Sequence, residues 1–159
     1  NDYSYNNILE IGCGNGFSTN YLKENTDKSN VFYGCDISEK AINYASINYP
    51  LITYFVHNSI KNFNINVKYD YIIFGDLLWY ILLDLKQCIS NALEILNDNG
   101  KIIFYNAFLE NQRYGQDIIN GYDGLIAFFE KEFPNNTITY KYKSKLIDYK
   151  YFGCIIIKK

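Results

Sequence analysis

Three glycines at two-residue spacing, Gly12, Gly14 and Gly16, stand between the short apolar run Ile8–Ile11 and a segment of helical period. Glycines in that place permit a tight turn and let ligand atoms approach the backbone. The helix that follows offers free N–H groups to an anion. Twenty residues past Gly16, Asp36 closes the next apolar run, where a carboxylate can accept hydrogen bonds from both hydroxyls of a ribose. The glycine turn and the acid, in register along one strand–turn–helix–strand unit, point to a site for an adenosine-type cofactor. Two further side chains carry distinctive chemistry. His57, the single histidine, could act as a base near neutral pH. Arg113, the single arginine, could grip a phosphate or carboxylate.

The elements that must position these groups are legible from periodicity. Runs at Ile8–Ile11, Val31–Cys35, Ile52–Val56, Tyr69–Phe74 and Ile102–Tyr105 are short and mostly apolar, as expected of strands covered on both faces. Between them, Phe17, Tyr21 and Leu22 share one helical face. Ser38 is a candidate N-cap for a helix carrying Ile42, Ala45 and Tyr49. Leu85, Cys88, Ile89, Ala92, Leu93 and Leu96 form a stripe that stops at Asn97-Asp98-Asn99-Gly100. Alternating strands and helices imply right-handed crossovers and a parallel sheet with helices on both faces. The last third differs. A helix over Tyr122 to Phe133 precedes Pro134. Ile138, Tyr140 and Tyr142 then alternate with polar residues, and Tyr151–Ile157 can pair with that run antiparallel. The lysines of this hairpin (Lys141, Lys143, Lys145 and Lys150) read as an edge-protecting solvent face.

The spacing departs from the dinucleotide fingerprint G-x-G-x-x-G, which would need glycine where Phe17 stands. Glu10-Ile11-Gly12-Cys13-Gly14-Asn15-Gly16 instead resembles the E/D-x-G-x-G-x-G motif of the class I S-adenosylmethionine-dependent methyltransferases. Gly34-Cys35-Asp36-Ile37-Ser38 is similar to that family's ribose-binding motif, and His57-Asn58-Ser59 stands where its adenine-contacting motif does, with Asn58 in place of the commoner Asp. The stretch Asp70–Ile81 resembles the fourth-strand motif of its small-molecule members. Leu93–Ile102 resembles the L-x-x-L-x-P-G-G segment, with Asp98-Asn99 replacing Pro-Gly. Leu78-Trp79-Tyr80-Ile81 and Arg113-Tyr114-Gly115 are similar to the nodulation-factor N-methyltransferase branch.

The resemblance implies a Rossmann-like, doubly wound and mostly parallel sheet of seven strands, closed by a C-terminal antiparallel hairpin. It also implies S-adenosylmethionine as cofactor. Glu10, Gly12, Cys13, Gly14 and Gly16 would then build the methionine side of the cofactor site, Asp36 would hold the ribose, and Ile37 would pack on the adenine. Asn58 and Ser59 would face the adenine's polar edge, with Asp76 near the cofactor's amino group or the transferred methyl. Asp76, His57 and Tyr80 are the candidates for catalysis. Trp79, Tyr80, Arg113 and Tyr114 are the candidates for acceptor binding. Methyl transfer from a sulfonium to O or N of a small molecule is an in-line displacement that needs alignment more than a fixed catalytic set. Enzymes acting on exocyclic base amines or glutamine amides usually carry [N/D]-P-P-[Y/F] after the fourth strand. Here that position reads Gly75-Asp76-Leu77-Leu78, which disfavours such acceptors.

The 159 residues suit one domain, with 48% apolar and 20% charged residues. Residues 1–159 therefore read as a single methyltransferase domain without the N-terminal capping helices usual in the family. The chain holds no Met, so further residues are expected to precede Asn1. Fifteen basic against seventeen acidic residues give a net charge of −2, which argues against a nucleic-acid face. No apolar run approaches the roughly 20 residues of a membrane span, and the protein is expected to be cytoplasmic, with no membrane partner. Cys13, Cys35, Cys88 and Cys154 lack C-x-x-C spacing, so they are expected to be reduced and no metal site is expected. Three readings compete with a small-molecule methyltransferase: an RNA or protein methyltransferase, a nicotinamide-dependent dehydrogenase, and a non-catalytic cofactor-binding subunit.

Overall fold

Apolar runs without polar alternation lie stably only between two covered faces, and a computed structural model, describing residues 5–147 and 150–159, places them there. The chain runs β1 (Asn7–Ile11), α1 (Phe17–Glu24), β2 (Val31–Asp36), α2 (Glu39–Asn48), β3 (Thr53–Val56), β4 (Tyr69–Gly75), α3 (Leu78–Ile81) and α4 (Leu85–Ile95). It continues through β5 (Leu96–Leu109), α5 (Gly121–Glu132), β6 (Thr137–Ile147) and β7 (Lys150–Lys158). Among the described residues the strands form one sheet in the order β3-β2-β1-β4-β5-β7-β6. All run parallel except β7, which inserts between β5 and β6 and opposes both. The expected doubly wound sheet with an antiparallel end is therefore present. Its order reverses between β1 and β4, and in open α/β sheets a crevice forms at the carboxyl ends of the strands at such a reversal.

Strand alternation sorts the side chains into two layers. Leu9, Ile72 and Phe104 face one way and are buried against α3, α4 and α5 through Leu78, Ile89 and Phe129. Phe74 and Phe104 stack with centroids 4.5 Å apart, and Phe129 meets Phe104 edge-on at 5.6 Å. Each such buried side chain contributes roughly 1.5–3 kcal/mol over its exposed state. Ile8, Phe32 and Ile73 face the other way, beneath Leu22 of α1.

Several boundaries and faces differ from the reading by period. Leu96 leaves the α4 stripe: its backbone is extended, and it pairs with Tyr69 as the first residue of β5. β5 is also much longer than Ile102–Tyr105, because β7 offers it a partner from Lys101 to Leu109. On α1, Phe17 and Tyr21 point outward at 72% and 59% exposure, whereas Thr19 is fully buried. The helix is rotated because its hydroxyls, not its aromatics, are needed beneath it. On β6, Lys141 and Lys143 are exposed, as expected of a solvent face, and there they pair with Glu130 and Asp123 of α5. Tyr140 and Tyr142 remain about half exposed. A register shift between Ile138 and Tyr140 interrupts the alternation that predicted a buried tyrosine face.

The hydroxyls that turn α1 serve one residue. Glu10 shares the Ile8 face of β1 and is 2% exposed. Ser18 and Thr19 donate to its two carboxylate oxygens, and Tyr105 of β5 adds a further hydrogen bond. Burial outweighs these contacts and holds the Glu10 carboxyl above the usual carboxylate range. Its ionised form therefore costs stability, a cost absent below the pKa of the unfolded chain, growing as pH rises through the raised folded value and persisting at neutrality. Glu10→Gln removes that titration. Melting temperatures of the parent and variant, measured from about pH 7 down to about pH 5, are expected to diverge in the parent's favour as pH falls. Parallel curves would show that Glu10 does not titrate in this way.

Candidate functional site

The crevice at the sheet reversal is built by three strand-to-helix connections, after β1, β2 and β4, and by the loop that follows β3. After β1 the backbone turns through Gly12 at φ +78°, Gly14 at φ +51° and Gly16 at φ +77°. At Gly16 the need for glycine is also steric: a Cβ there would stand 2.5 Å from the Tyr54 hydroxyl and 2.9 Å from the Ala45 Cβ. The turn is stitched internally. Gly12 and Cys13 donate their amides to the Cys35 carbonyl at 2.8 and 3.0 Å, and Gly16 donates to the Cys13 carbonyl at 2.9 Å. The Gly14 amide reaches across to Asp36 Oδ2 at 2.9 Å. With four amides used in this way, the turn is not an open nest of consecutive N–H groups of the kind that holds a pyrophosphate. Phe17, in the place of the missing glycine, projects into solvent.

Asp36 ends β2 and bridges two turns. Its other oxygen, Oδ1, accepts the Ser38 amide at 2.8 Å, immediately before α2, whose cap is the Ser38 hydroxyl accepting from the Ala41 amide at 3.3 Å. Each carboxylate oxygen keeps a lone pair for a ligand hydroxyl. Ile37 beside it is 69% exposed, an apolar side chain lying open at the crevice wall. Beyond β3, Asn58 and Ser59 complete that wall. Asn58 Oδ1 accepts from the Ile60 amide at 3.1 Å, and Asn91 of α4 donates to the Ser59 carbonyl at 2.8 Å, fixing the loop from behind.

The opposite wall comes from β4 and α3. Asp76 takes φ +50°, a strained setting for a residue with a side chain. Its amide donates to the Tyr105 carbonyl at 2.9 Å, and its Oδ1 accepts from the Ala107 amide at 3.1 Å. Asn106, almost fully buried, accepts the Leu78 amide at 3.2 Å and so caps the first turn of α3 from β5. Leu77 and Tyr80 line the crevice, Tyr80 at 87% exposure on its rim. The enclosed space is about 160 Å³.

Gly12, Asp36, Ile37, Asn58, Ser59 and Tyr80 thus meet around one crevice, with Gly14 bound to Asp36 and Asp76 at its edge. Three other residues stand elsewhere. Glu10 lies beneath the turn, its carboxylate occupied by hydroxyls, so it supports the crevice without lining it. The Cys13 side chain points into the core toward Gly34, and burial pushes its thiol up to about 12. His57 stacks on Phe63 at 3.9 Å, and its Nε2 lies 3.1 Å from the Lys61 carbonyl. Burial holds its imidazole below the usual range, and it is turned away from the crevice. Trp79, Arg113 and Tyr114 meet in a second cleft on the far side of α3. Sequence spacing gave no sign of Ile60 and Leu77 on the crevice wall, nor of Tyr54 and Tyr105 beneath it. Leu77 follows Asp76 directly and could have been inferred from it; the two tyrosines are strand residues brought in by long-range pairing. Among the described residues no cluster of metal-ligating side chains occurs, and no helix is long and apolar enough to cross a membrane.

This donor set fits an adenosyl cofactor: a carboxylate with free lone pairs at a strand end, an exposed apolar side chain beside it, and open space above Gly14, where a Cβ would meet nothing within 4 Å. Comparison with known proteins agrees. The protein 235L of Invertebrate iridescent virus 6, which carries a methyltransferase designation, is 30% identical over 104 residues, 65% of this chain. The match spans only 38% of that viral protein's length. The N-methyltransferase NodS of Bradyrhizobium japonicum superposes with a TM-score of 0.74 at 18% identity, covering 98% of this chain and 86% of its own. It has also been solved with S-adenosylhomocysteine. Magnesium protoporphyrin IX methyltransferase of Synechocystis, also with bound S-adenosylhomocysteine, superposes at 0.70 with 16% identity, covering 99% of this chain and 76% of its own. A family model described as a methyltransferase domain matches residues 9–102. Those residues carry the glycine turn, the β2 acid and both walls of the crevice, and on that match the chain belongs to the methyltransferase domain family.

Proposed function

We propose that residues 1–159 form one catalytic domain that methylates an oxygen or nitrogen of a small-molecule acceptor. The observation that carries this reading is the 2.9 Å bond from the Gly14 amide to Asp36 Oδ2, which brings the glycine turn and the acid to one crevice. When bound, S-adenosylmethionine supplies a methyl group already activated on a sulfonium, so the protein's share is alignment and exclusion of water. In this reading Asp36 accepts the ribose hydroxyls, Ile37 packs on the adenine, and Asn58 and Ser59 meet its polar edge. Gly12, Gly14 and Gly16 let the methionine portion approach the turn. Asp76 would stand near the cofactor's amino group or the transferred methyl, with a carboxylate able to orient the acceptor or take its proton. Tyr80, Trp79, Arg113 and Tyr114 stand on the acceptor side. With the cofactor bound, the crevice residues would align an acceptor lone pair with the carbon–sulfur bond, whose electron pair would stay on sulfur. Support for a small acceptor comes from the net charge of −2 and from Gly75-Asp76-Leu77-Leu78 in place of the amide- and base-directed motif. The NodS and magnesium protoporphyrin IX enzymes, small-molecule methyltransferases of the same fold, lend further support.

Calorimetry with S-adenosylhomocysteine and with NAD tests the cofactor side, and saturable binding of the first alone is expected. Asp36→Asn removes two charge-assisted hydrogen bonds and turns an N–H toward the Gly14 amide. Affinity for S-adenosylhomocysteine is expected to fall about 30-fold or more, with the far-ultraviolet dichroism unchanged. Unaltered affinity would remove Asp36 from the cofactor site. His57→Gln is expected to keep that affinity within about threefold of the parent across roughly pH 5.5 to 8, since the ring faces Phe63 rather than the crevice. A loss confined to one side of that range would restore His57 as a participant.

A further inference from the structure

We infer that the acceptor is a planar, aromatic molecule bearing one anionic group, held in the cleft beyond α3. The inference rests on the reading that the crevice on the near side of α3 holds the cofactor. The second cleft encloses about 140 Å³ and is lined by Trp79, Leu109, Gln112, Arg113 and Tyr114. An apolar cavity of about 150 Å³ takes one benzene ring, so this cleft has room for one ring and its substituents at the open side. The walls are flat and largely apolar, and one of them is fixed. The Trp79 indole N–H donates to the Ala107 carbonyl at 3.0 Å, and the ring meets Phe108 edge-on at 5.7 Å. Aromatic walls favour a π-faced ligand by offset or edge stacking.

The charge comes from a loop that is already formed. Gln112 is 8% exposed and uses both ends of its amide: Nε2 donates to the carbonyls of Tyr114 at 2.9 Å and Ile119 at 2.6 Å, while Oε1 accepts the Gly121 amide at 3.2 Å. The turn at Gly115, with φ +65°, is closed by amides of Ile118 and Ile119 on its carbonyl. Arg113 sits between two of these anchored positions and takes part in no ion pair among the described residues. The neighbouring carboxylate, Glu110, accepts instead from the Tyr151 hydroxyl on β7 at 3.3 Å. A guanidinium presented on a fixed loop, beside an aromatic wall and without a carboxylate partner among the described residues, suits a carboxylate or phosphate held in two-point contact. Ala107 links the two clefts. Its amide holds Asp76 and its carbonyl holds Trp79, so a ring against Trp79 puts its substituents near Asp76 and the mouth of the cofactor crevice.

Trp79 is the only tryptophan, and its emission therefore reports on this cleft alone. The full chain, with and without saturating S-adenosylhomocysteine, is titrated with benzoate, phenyl phosphate and benzamide, and with the same three after Arg113→Gln. Saturable quenching by benzoate or phenyl phosphate at least tenfold tighter than by benzamide is expected. The tighter of the two anions assigns carboxylate or phosphate as the recognised group. Arg113→Gln is expected to bring all three to the benzamide level while leaving calorimetric affinity for S-adenosylhomocysteine unchanged. Equal affinity of the parent for benzoate, phenyl phosphate and benzamide, an anion preference that survives Arg113→Gln, or no saturable quenching by any of the three overturns the inference. Failure of the parent to bind S-adenosylhomocysteine would instead overturn the cofactor reading, and is scored apart from the anion preference measured in its absence.

Discussion

One carboxylate holds the crevice in shape. Asp36 accepts an amide from the turn before α1 and an amide from the turn before α2, so the ends of β1 and β2 cannot move independently while both bonds stand. Hydrogen bonds to an ionised acceptor are roughly twice as strong as neutral ones, and two of them on one side chain leave little rotamer freedom to lose when a ligand arrives. The same group is thus a structural tie and part of the crevice wall. The turn is tied to β2 twice more, by the Gly12 and Cys13 amides on the Cys35 carbonyl, and closes on itself through the Gly16 amide on the Cys13 carbonyl.

A second carboxylate supports the first from below. Burying a charged group is costly unless it is fully hydrogen-bonded, and Glu10 is met by two hydroxyls of α1 and one of β5. The helix is rotated to bring Ser18 and Thr19 inward, and Phe17 and Tyr21 are exposed as the consequence. Polar satisfaction has overridden hydrophobic period in this short helix. The outcome is a rigid glycine turn, clamped by Asp36 at its open side and by α1 at its base. The other wall follows a similar logic, with Asn106 and Ala107 of β5 fixing α3 and the strained Asp76.

Much of the fold was legible because buried parallel strands and amphipathic helices leave strong local signals. The Ser38 cap, the α4 stripe from Leu85 to Ala92 and the C-terminal hairpin appear where period and punctuation put them. What period misjudged lay where a partner distant in sequence decides. Leu96 became strand because Tyr69 was there to pair with it, and β5 runs on to Leu109 because β7 offers it a partner. At the site, residue types and spacing pointed to the crevice residues around Asp36. They also pointed to His57, whose ring stacks on Phe63 and is not among the side chains lining the crevice.

By itself the sequence determined the class of ligand and the strand ends that meet it, since glycine, carboxylate and apolar run each act through their own backbone geometry or charge at a fixed offset along the chain. Only the tertiary structure decided which side chains face the ligand, because facing depends on contacts between segments far apart in the chain. Gly14 and Asp36 are joined by a bond spanning 22 residues, Ala107 holds Asp76 across 31, and Trp79 reaches the same residue across 28. Local propensity is blind to such separations, and packing resolves them.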